Sequence, residues 1–463
     1  VSLSRSVVAV LRRKQREGIP AEIGAKTRLH VADAVAIALA TRGRLPLADE
    51  VLGALSAGAA RGDCRVIGRA EMMPPALAAF ANSALIHALD YDDIHDVARL
   101  HPTTVTLPAA LAAADLADAS GRTVVEAVAL ANELMCRLGV ACSPTGTGPG
   151  SDWFLTQLFG YFGASLAAGL VLGLEDDEIV SAFGLACMQA AGSKEAAFGV
   201  GATSRSIYPA FAAMGGVQAA LLARAGIVGP AGALDGAAGL FRLYLGGAPE
   251  PAQLAMLLDR DGWTWRHTDI KPWPSCRLSH PYVAAALAVR GELAGRPIER
   301  ITVAVNESAG KLCRPLPERR RPRTLQDAKY SIPFMTAFTI AHGRVDLETL
   351  GPRAFDDPAA LALAERIAIA ETLPDGPGHP PAEIAVELAS GQSVASPPVA
   401  DLRMTEGAVR DKFLSCLAHG GFGDDGPALW EALMQIETRG RGPAFGPAAL
   451  SSGGRRPAAP IHR

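Results

Sequence analysis

From Ala21 to about Gly246 the apolar positions recur at steps of three and four rather than in strict alternation, and Ala and Gly fill many of them. That period predicts a succession of amphipathic helices, and the small residues predict close approach between them. Thr123-Val-Val-Glu126 has the form of a capping box and is followed by Val124, Val128, Ala131, Met135 and Leu138, which predicts a helix of about four turns beginning at Thr123. Glu175, Asp176, Asp177 and Glu178 are expected in the first turn of the next helix, Ile179 to Ala190, where the positive end of its dipole favours acids. The longest apolar run, Gly160 to Leu174, is shorter than the roughly 18 residues a membrane span requires and reads as a packed core helix.

Near Trp263 the pattern changes. Ile301, Val303 and Val305 alternate with Thr302 and Ala304; Ile384, Val386 and Leu388 alternate into Ser390-Gly391-Gln392 before Val394, which predicts a hairpin. Ile367 and Ile369 lie on a third candidate strand, with helices expected over Asp327 to His342 and Pro358 to Ala364. Helical spacing returns in Glu406 to Leu417 and Leu429 to Glu437. The expected fold is therefore mainly α: a large all-helical domain built from both chain ends (residues 1–265 and 404–438) carrying an inserted α+β lid domain (266–403). The Gly, Pro, Ser and Arg of residues 439–463 predict a disordered tail.

Composition narrows the partners. Among 463 residues, 44 basic and 47 acidic side chains leave a net charge of −3, so no basic excess points to nucleic acid or an anionic membrane. Seven cysteines (Cys64, Cys136, Cys142, Cys187, Cys276, Cys313 and Cys416), without a CxxC pair or zinc-like spacing, read as reduced thiols of a cytoplasmic protein. The first residues carry several Arg but only a four-residue apolar run, Val7 to Val10, and do not resemble a secretory signal.

Three clusters could carry chemistry. His87-Ala-Leu-Asp90-Tyr-Asp92-Asp93-Ile-His95-Asp96, followed by His101-Pro102, is the densest in ionisable groups. On a helix reaching Tyr91, His87 and Asp90 would share a face, and the following loop would fold His101 back towards Asp90; an imidazole oriented by a carboxylate is a general base. The bland reading is a helix end with a solvated acidic loop. In Asp269-Ile-Lys271-Pro-Trp-Pro-Ser275-Cys276-Arg277-Leu-Ser279-His280 the prolines stiffen a loop whose Lys271 and Arg277 suit an anion, while Ser275, Cys276 and His280 add hydrogen-bonding groups. Cys276 beside His280 offers a nucleophilic alternative, against the commoner reading of a buried thiol. Gly199 to Tyr208 places Ser204, Arg205 and Tyr208 on a Gly/Ser/Thr loop entering a helix, a weaker anion-binding signal.

Taken together, His-Ala-Leu-Asp-Tyr-Asp-Asp with His-Pro, Gly160-Tyr-Phe-Gly-Ala164, Lys271-Pro-Trp-Pro-Ser-Cys-Arg with His280, and Asp327-Ala-Lys-Tyr-Ser-Ile-Pro-Phe334 resemble the MmgE/PrpD family, in order from about Ala21 to Glu437. The resemblance implies the two-part fold above, usually as a homodimer, and a lyase of the 2-methylcitrate dehydratase or cis-aconitate decarboxylase kind working on a small carboxylic acid without cofactor or metal. It implies Asp90 and His101 as acid/base machinery, Lys271 as a cation lining the cleft, and Arg205 where a Lys is usual. Asp93, Thr156, Ser204, Tyr208, Ser275, Cys276, Arg277 and His280 are expected to line the substrate site. Ile94, Phe154 and Phe334 depart from Thr, His and Tyr in the family pattern, removing two proton donors.

The expected reaction is proton abstraction by His101 next to a carboxylate, with Arg205 and Lys271 holding carboxylates, and loss of water from a hydroxy di- or tricarboxylate. Epimerisation or isomerisation would use the same abstraction. A non-catalytic carboxylate-binding protein, and a metal-dependent hydrolase using Asp92, Asp93, His95, Asp96 and His101, are the competing classes.

Overall fold

The structure is a computed structural model that describes residues 2–58, 61–142, 151–198, 201–293, 295–376, 378, 381–399 and 401–438. The tail expected to be disordered, and Gly199 of the third cluster, lie outside the described residues.

The fold is mainly α, as the apolar spacing predicts. The helix Leu155–Val171 packs against Thr103–Ala117, Gly121–Cys142, Asp176–Cys187 and Tyr208–Arg224. The small residues are what allow this: a Cβ at Gly216 would lie 2.3 Å from the Ala164 Cβ, and one at Gly163 would lie 2.5 Å from Met135 Cγ. Both backbones therefore touch at distances that no side chain tolerates. Helices Glu406–His419 and Gly426–Met434 pack on Ala21–Ala40, so one apolar core draws on residues from Leu3 to Ile270 and again from Val409 to Ile436, with Leu347 added from the segment between.

Two further apolar clusters draw on residues between Tyr282 and Val394; together they form the second core. It contains a four-stranded sheet in which Ile298–Val305 runs parallel to Ile367–Glu371 and antiparallel to Glu383–Leu388, which in turn pairs with Ser393–Ala395. The alternating residues thus form the expected strands and hairpin, with Val303 opposite both Ile369 and Ile384. A two-residue ladder, Ile94–His95 against Thr268–Asp269, ties the first ionisable cluster to the approach of the second.

Several boundaries differ from expectation. The helix expected from Thr123 runs from Gly121 to Cys142, 22 residues, because Ser120 rather than Thr123 accepts the exposed N–H, that of Thr123, at 3.2 Å. The acidic helix spans Asp176–Cys187 with a reciprocal Glu175/Glu178 capping box. The helical stretch expected around Asp327 to His342 consists of two helices, Leu325–Lys329 and Ile332–His342: Ser331 caps the second, whose first turn holds Pro333. Among the described residues no helix is long and apolar enough to cross a membrane.

Candidate active site

The helix Pro75–His87 ends before Asp90, which takes a left-handed backbone with φ of 51°. The chain then reverses through the Ile94–His95 ladder and a His95–Leu100 bridge into the helix Thr103–Ala117. This reversal brings His101 back over His87, with ring centroids 5.1 Å apart. Asp92 lies between them, its Oδ2 at 2.9 Å from His87 Nδ1 and 3.5 Å from His101 Nδ1. His101 Nδ1 is also 2.7 Å from the Asp93 carbonyl oxygen, which can only accept. Nδ1 therefore carries the proton, and Nε2 holds the lone pair. Burial, with Lys271 and His87 adding to it against the pull of Asp92, lowers His101 to about 4. At neutral pH it is an uncharged base.

Asp90 forms a buried pair with Lys271, Oδ1 to Nζ 2.5 Å, and Lys271 also donates to the Asp90 carbonyl at 3.1 Å. Burial alone would raise the Asp90 carboxyl, but Lys271, His87 and His101 outweigh it and hold it well below the usual carboxylate range. Asp92 is likewise lowered, burial being overcome by His87, His101 and Lys271. His87 Nε2, Asp90 Oδ2, Asp92 Oδ1 and Arg205 Nε are buried without hydrogen-bond partners among the described residues. Unfilled capacity of this kind costs free energy unless a ligand supplies the partner.

Thr156 Oγ1 accepts from the His101 backbone N–H at 3.0 Å and from the Tyr208 hydroxyl at 3.3 Å. Tyr208 stacks on Phe154 with centroids 4.0 Å apart and meets His87 edge-on at 4.9 Å. Burial pushes its phenol upward, so it keeps its proton. The Arg205 guanidinium sits over the Tyr330 ring at 3.3 Å and donates to the Ala197 carbonyl at 3.2 Å. Its charge reaches both Tyr208 and Cys276, which also feel Asp90. Asp90, His101 and Lys271 are thus brought together with Thr156 and Tyr208, and Arg205 lies near enough for its charge to act on Tyr208.

The chain matches the MmgE/PrpD N-terminal domain over residues 7–252 and the MmgE/PrpD C-terminal domain over residues 273–422. It belongs to the MmgE/PrpD family. Relatives include a cis-aconitate decarboxylase-like protein, oryM, of Aspergillus oryzae, 29% identical over 85% of this chain and 86% of its own. Cis-aconitate decarboxylase of Aspergillus terreus is 29% identical over 76% of this chain and 74% of its own. The Mus musculus cis-aconitate decarboxylase is 25% identical over 67% of this chain and 64% of its own.

Within this MmgE/PrpD fold several expected roles are reassigned. The partner of His101 is Asp92, not Asp90, because the helix stops at His87 and the left-handed turn at Asp90 changes which carboxylate faces the imidazole. The Asp93 carboxylate turns into the helical core, where it receives His30 at 2.8 Å and the Thr103 hydroxyl at 2.5 Å; only its carbonyl reaches the site. Arg277 is engaged by Asp96 through two bonds of 2.8 and 2.6 Å and lies 3.5 Å from Asp269, so its Nε and Nη2 are occupied, while Nη1 is buried without a hydrogen-bond partner among the described residues. Ser204 is exposed. Ser275 Oγ bonds Ser279 Oγ at 2.9 Å, and His280 Nε2 bonds the Ser275 carbonyl at 3.1 Å. Burial raises the Cys276 thiol, which argues against the nucleophilic alternative.

Among the departures, Phe334 is fully buried in the second core, stacked with Phe338, and Ile94 is buried in the two-residue ladder. The residues proposed as a hydrolase metal set are dispersed: Asp93 to His30, His95 to the Thr264 carbonyl, Asp96 to Arg277. His87, Asp92 and His101 do place ligand atoms within 4.8 Å of one another, a grouping able to hold an ion. The sequence reading left His87 and Asp92 out of the catalytic set.

Acid stability follows from the buried imidazoles. Burial lowers His30, His95 and His101 to about 4 and His280 well below its ordinary value. The unfolded chain protonates these groups near 6.5, so their contribution is present above that pH and is lost as pH falls towards 4. Asp33, raised by burial to about 6, takes up a proton in the folded state and offsets one of them. Between pH 6.5 and 4.5 the unfolded chain binds about two to three more protons, so thermal unfolding followed by circular dichroism is expected to show a steep fall in Tm over that range.

Proposed function

We propose that this chain is a lyase that moves a proton at a carbon next to a carboxylate in a small di- or tricarboxylic acid, with His101 as the base. Membership of the MmgE/PrpD family supports a lyase-type enzyme. The observation that carries the finer reading is His101 itself: neutral, with its Nδ1 proton held by the Asp93 carbonyl and Nε2 left to accept. Asp92 stabilises the imidazolium as it forms. Arg205 and Lys271 supply positive charge for the substrate carboxylates and for the negative charge that develops.

Elimination of water is the first reading. His101 Nε2 takes the proton from carbon, the C–H electrons become the double bond, and the C–O bond breaks as the leaving oxygen takes a proton from the Tyr208 hydroxyl, the retained donor beside Thr156. Tyr208 thereby fills the role that the departure at Phe154 removes. A neutral His101 suits abstraction better than delivery of a proton to carbon. Decarboxylation, which needs that delivery, is the second reading, favoured by the names of the relatives.

The test is incubation with citrate, 2-methylcitrate and cis-aconitate in deuterium oxide, followed by NMR. New olefinic signals without carbon dioxide release support dehydration; carbon dioxide release supports the second reading. Tight binding of all three acids with neither turnover nor label uptake would mark a carboxylate-binding protein and end the lyase proposal. A stoichiometric metal whose removal abolishes activity would favour a hydrolase. With the true substrate, Arg205→Ala is expected to raise KM by about tenfold to a hundredfold and to change kcat less, since a charge-assisted contact is made in the ground state as well.

A further inference from the structure

Beyond the helix Pro75–His87 and its C-cap Ala88 the chain turns through Leu89, Asp90 and Tyr91, whose carbonyls lie outside the helical hydrogen-bond ladder. Leu89, Asp90 and Tyr91 are all buried, so water does not satisfy these oxygens. Each accepts instead from a different lysine: Leu89 O from Lys329 at 2.8 Å, Asp90 O from Lys271 at 3.1 Å, Tyr91 O from Lys412 at 2.8 Å. The three donors come from separate regions. Lys271 follows the strand Thr268–Asp269, Lys412 lies on the helix Glu406–His419, and Lys329 ends the short helix Leu325–Lys329 beside the second core.

An ammonium is a costly way to satisfy a carbonyl, because burying it forfeits far more hydration than burying an amide or hydroxyl. For Lys271 and Lys412 the carboxylates of Asp90 and Asp33 offset that cost, and Lys412 also lies over the Tyr91 ring at 3.7 Å. Lys329 is 1% exposed, and among the described residues no carboxylate is in ion-pair contact with it; burial, against the pull of Asp90 and with Lys271 adding to it, lowers it to about 8. Asp90 meanwhile holds a left-handed backbone that a side chain disfavours, so the turn needs restraint from outside itself. The residue two places on is Asp92, which bridges His87 and His101.

We propose that Lys329 and Lys412 are positioning residues: their ammonium groups hold the Leu89–Tyr91 turn in the form that aims Asp92 at His87 and His101, so that seating the second core against the helical core completes the site. The proposal rests on the reading of His101 as base. Neither lysine touches the reacting atoms.

The test compares the full chain with Lys329→Met, Lys329→Arg and Lys412→Met by hydrogen–deuterium exchange of peptides spanning residues 86–95 and by turnover of the substrate. Lys329→Met is expected to speed exchange in that segment by about tenfold while the Leu155–Val171 helix stays within about twofold of the parent. The same variant is expected to lower kcat by roughly a hundredfold with KM little changed, since a small misplacement of a catalytic group acts on the transition state. Lys329→Arg, which keeps a donor, should restore most of the protection. Lys412→Met should give the same local signature, and it carries the test should Lys329→Met not fold. A folded methionine variant whose 86–95 segment exchanges within about twofold of the parent overturns the proposal, as does a loosened segment with unchanged kcat. Should the parent turn over no polycarboxylate, the exchange result alone decides the positioning, and the failure belongs to the proposed function.

Discussion

His101→Ala is expected to lower kcat by roughly 10²- to 10⁴-fold, the usual worth of a positioned general base, with KM changed much less. The imidazole has little other work to explain its burial: Nδ1 donates to the Asp93 carbonyl, Asp92 stands 3.5 Å away, and no hydrogen bond holds Nε2 among the described residues. The pH profile gives an independent check. A base lowered to about 4 keeps its activity through mildly acidic solution, so the acid limb of kcat/KM should fall between about pH 4 and 5 rather than near 6.5, provided the fold survives there. Asp92→Asn should reproduce much of the loss, because an amide cannot stabilise the imidazolium. Turnover of the true substrate by His101→Ala within a few-fold of the parent would remove the residue from the mechanism.

Lys271→Met is expected to have the largest effect on stability. The Lys271–Asp90 pair is 0% and 2% exposed, and removing the cation leaves a buried carboxylate whose other oxygen has no hydrogen-bond partner among the described residues. Breaking a buried pair on one side typically costs about 3 to 5 kcal/mol. The linkage has a definite sign. Asp90 is held below its ordinary value in the folded state, so the stability it confers is present above about pH 4 and lost as pH falls through its folded value. In Lys271→Met burial acts on Asp90 with less opposition, its pKa rises, and the defect should shrink as the solution is acidified. Urea unfolding of parent and variant at pH 7 and pH 5 measures this; equal defects at the two values would show that the lost ammonium acts through packing rather than charge.

How far the chain could be read depends on whether the deciding interaction is local. The strands Ile298–Val305 and Glu383–Leu388 were legible because alternation writes burial directly into neighbouring residues. The start of the Gly121–Cys142 helix was not, since Ser120 and Thr123 are both competent caps and only the path of the preceding chain chooses between them. In the same way the ionisable cluster stood out by its density, but its pairing turned on where one helix stops. One residue in a left-handed turn exchanged Asp90 for Asp92 as the partner of His101. No role for Lys329 or Lys412 was legible, because only long-range docking buries these lysines. Arg277 misled in the opposite sense: its acceptors, Asp96 and Asp269, were both visible, but nothing in the order of residues says that the ladder would bring them to it.

That ladder, two residues against two, has a bearing on how the protein can be rebuilt. Ile94–His95 and Thr268–Asp269 are joined through main-chain bonds that are indifferent to side-chain identity, whereas the neighbouring Arg277–Asp96 link depends on both partners. A chimaera that grafts the latter half of a relative after Asp269 would inherit the backbone splice intact, yet it would function only if the donor's counterpart of Arg277 still finds an acid at position 96. Recombination at this junction must keep the Arg277–Asp96 match together with the Lys271–Asp90 and Lys412–Asp33 pairs, which also cross it, and libraries that vary residues 96 and 277 together should yield more folded protein than those that vary either one alone.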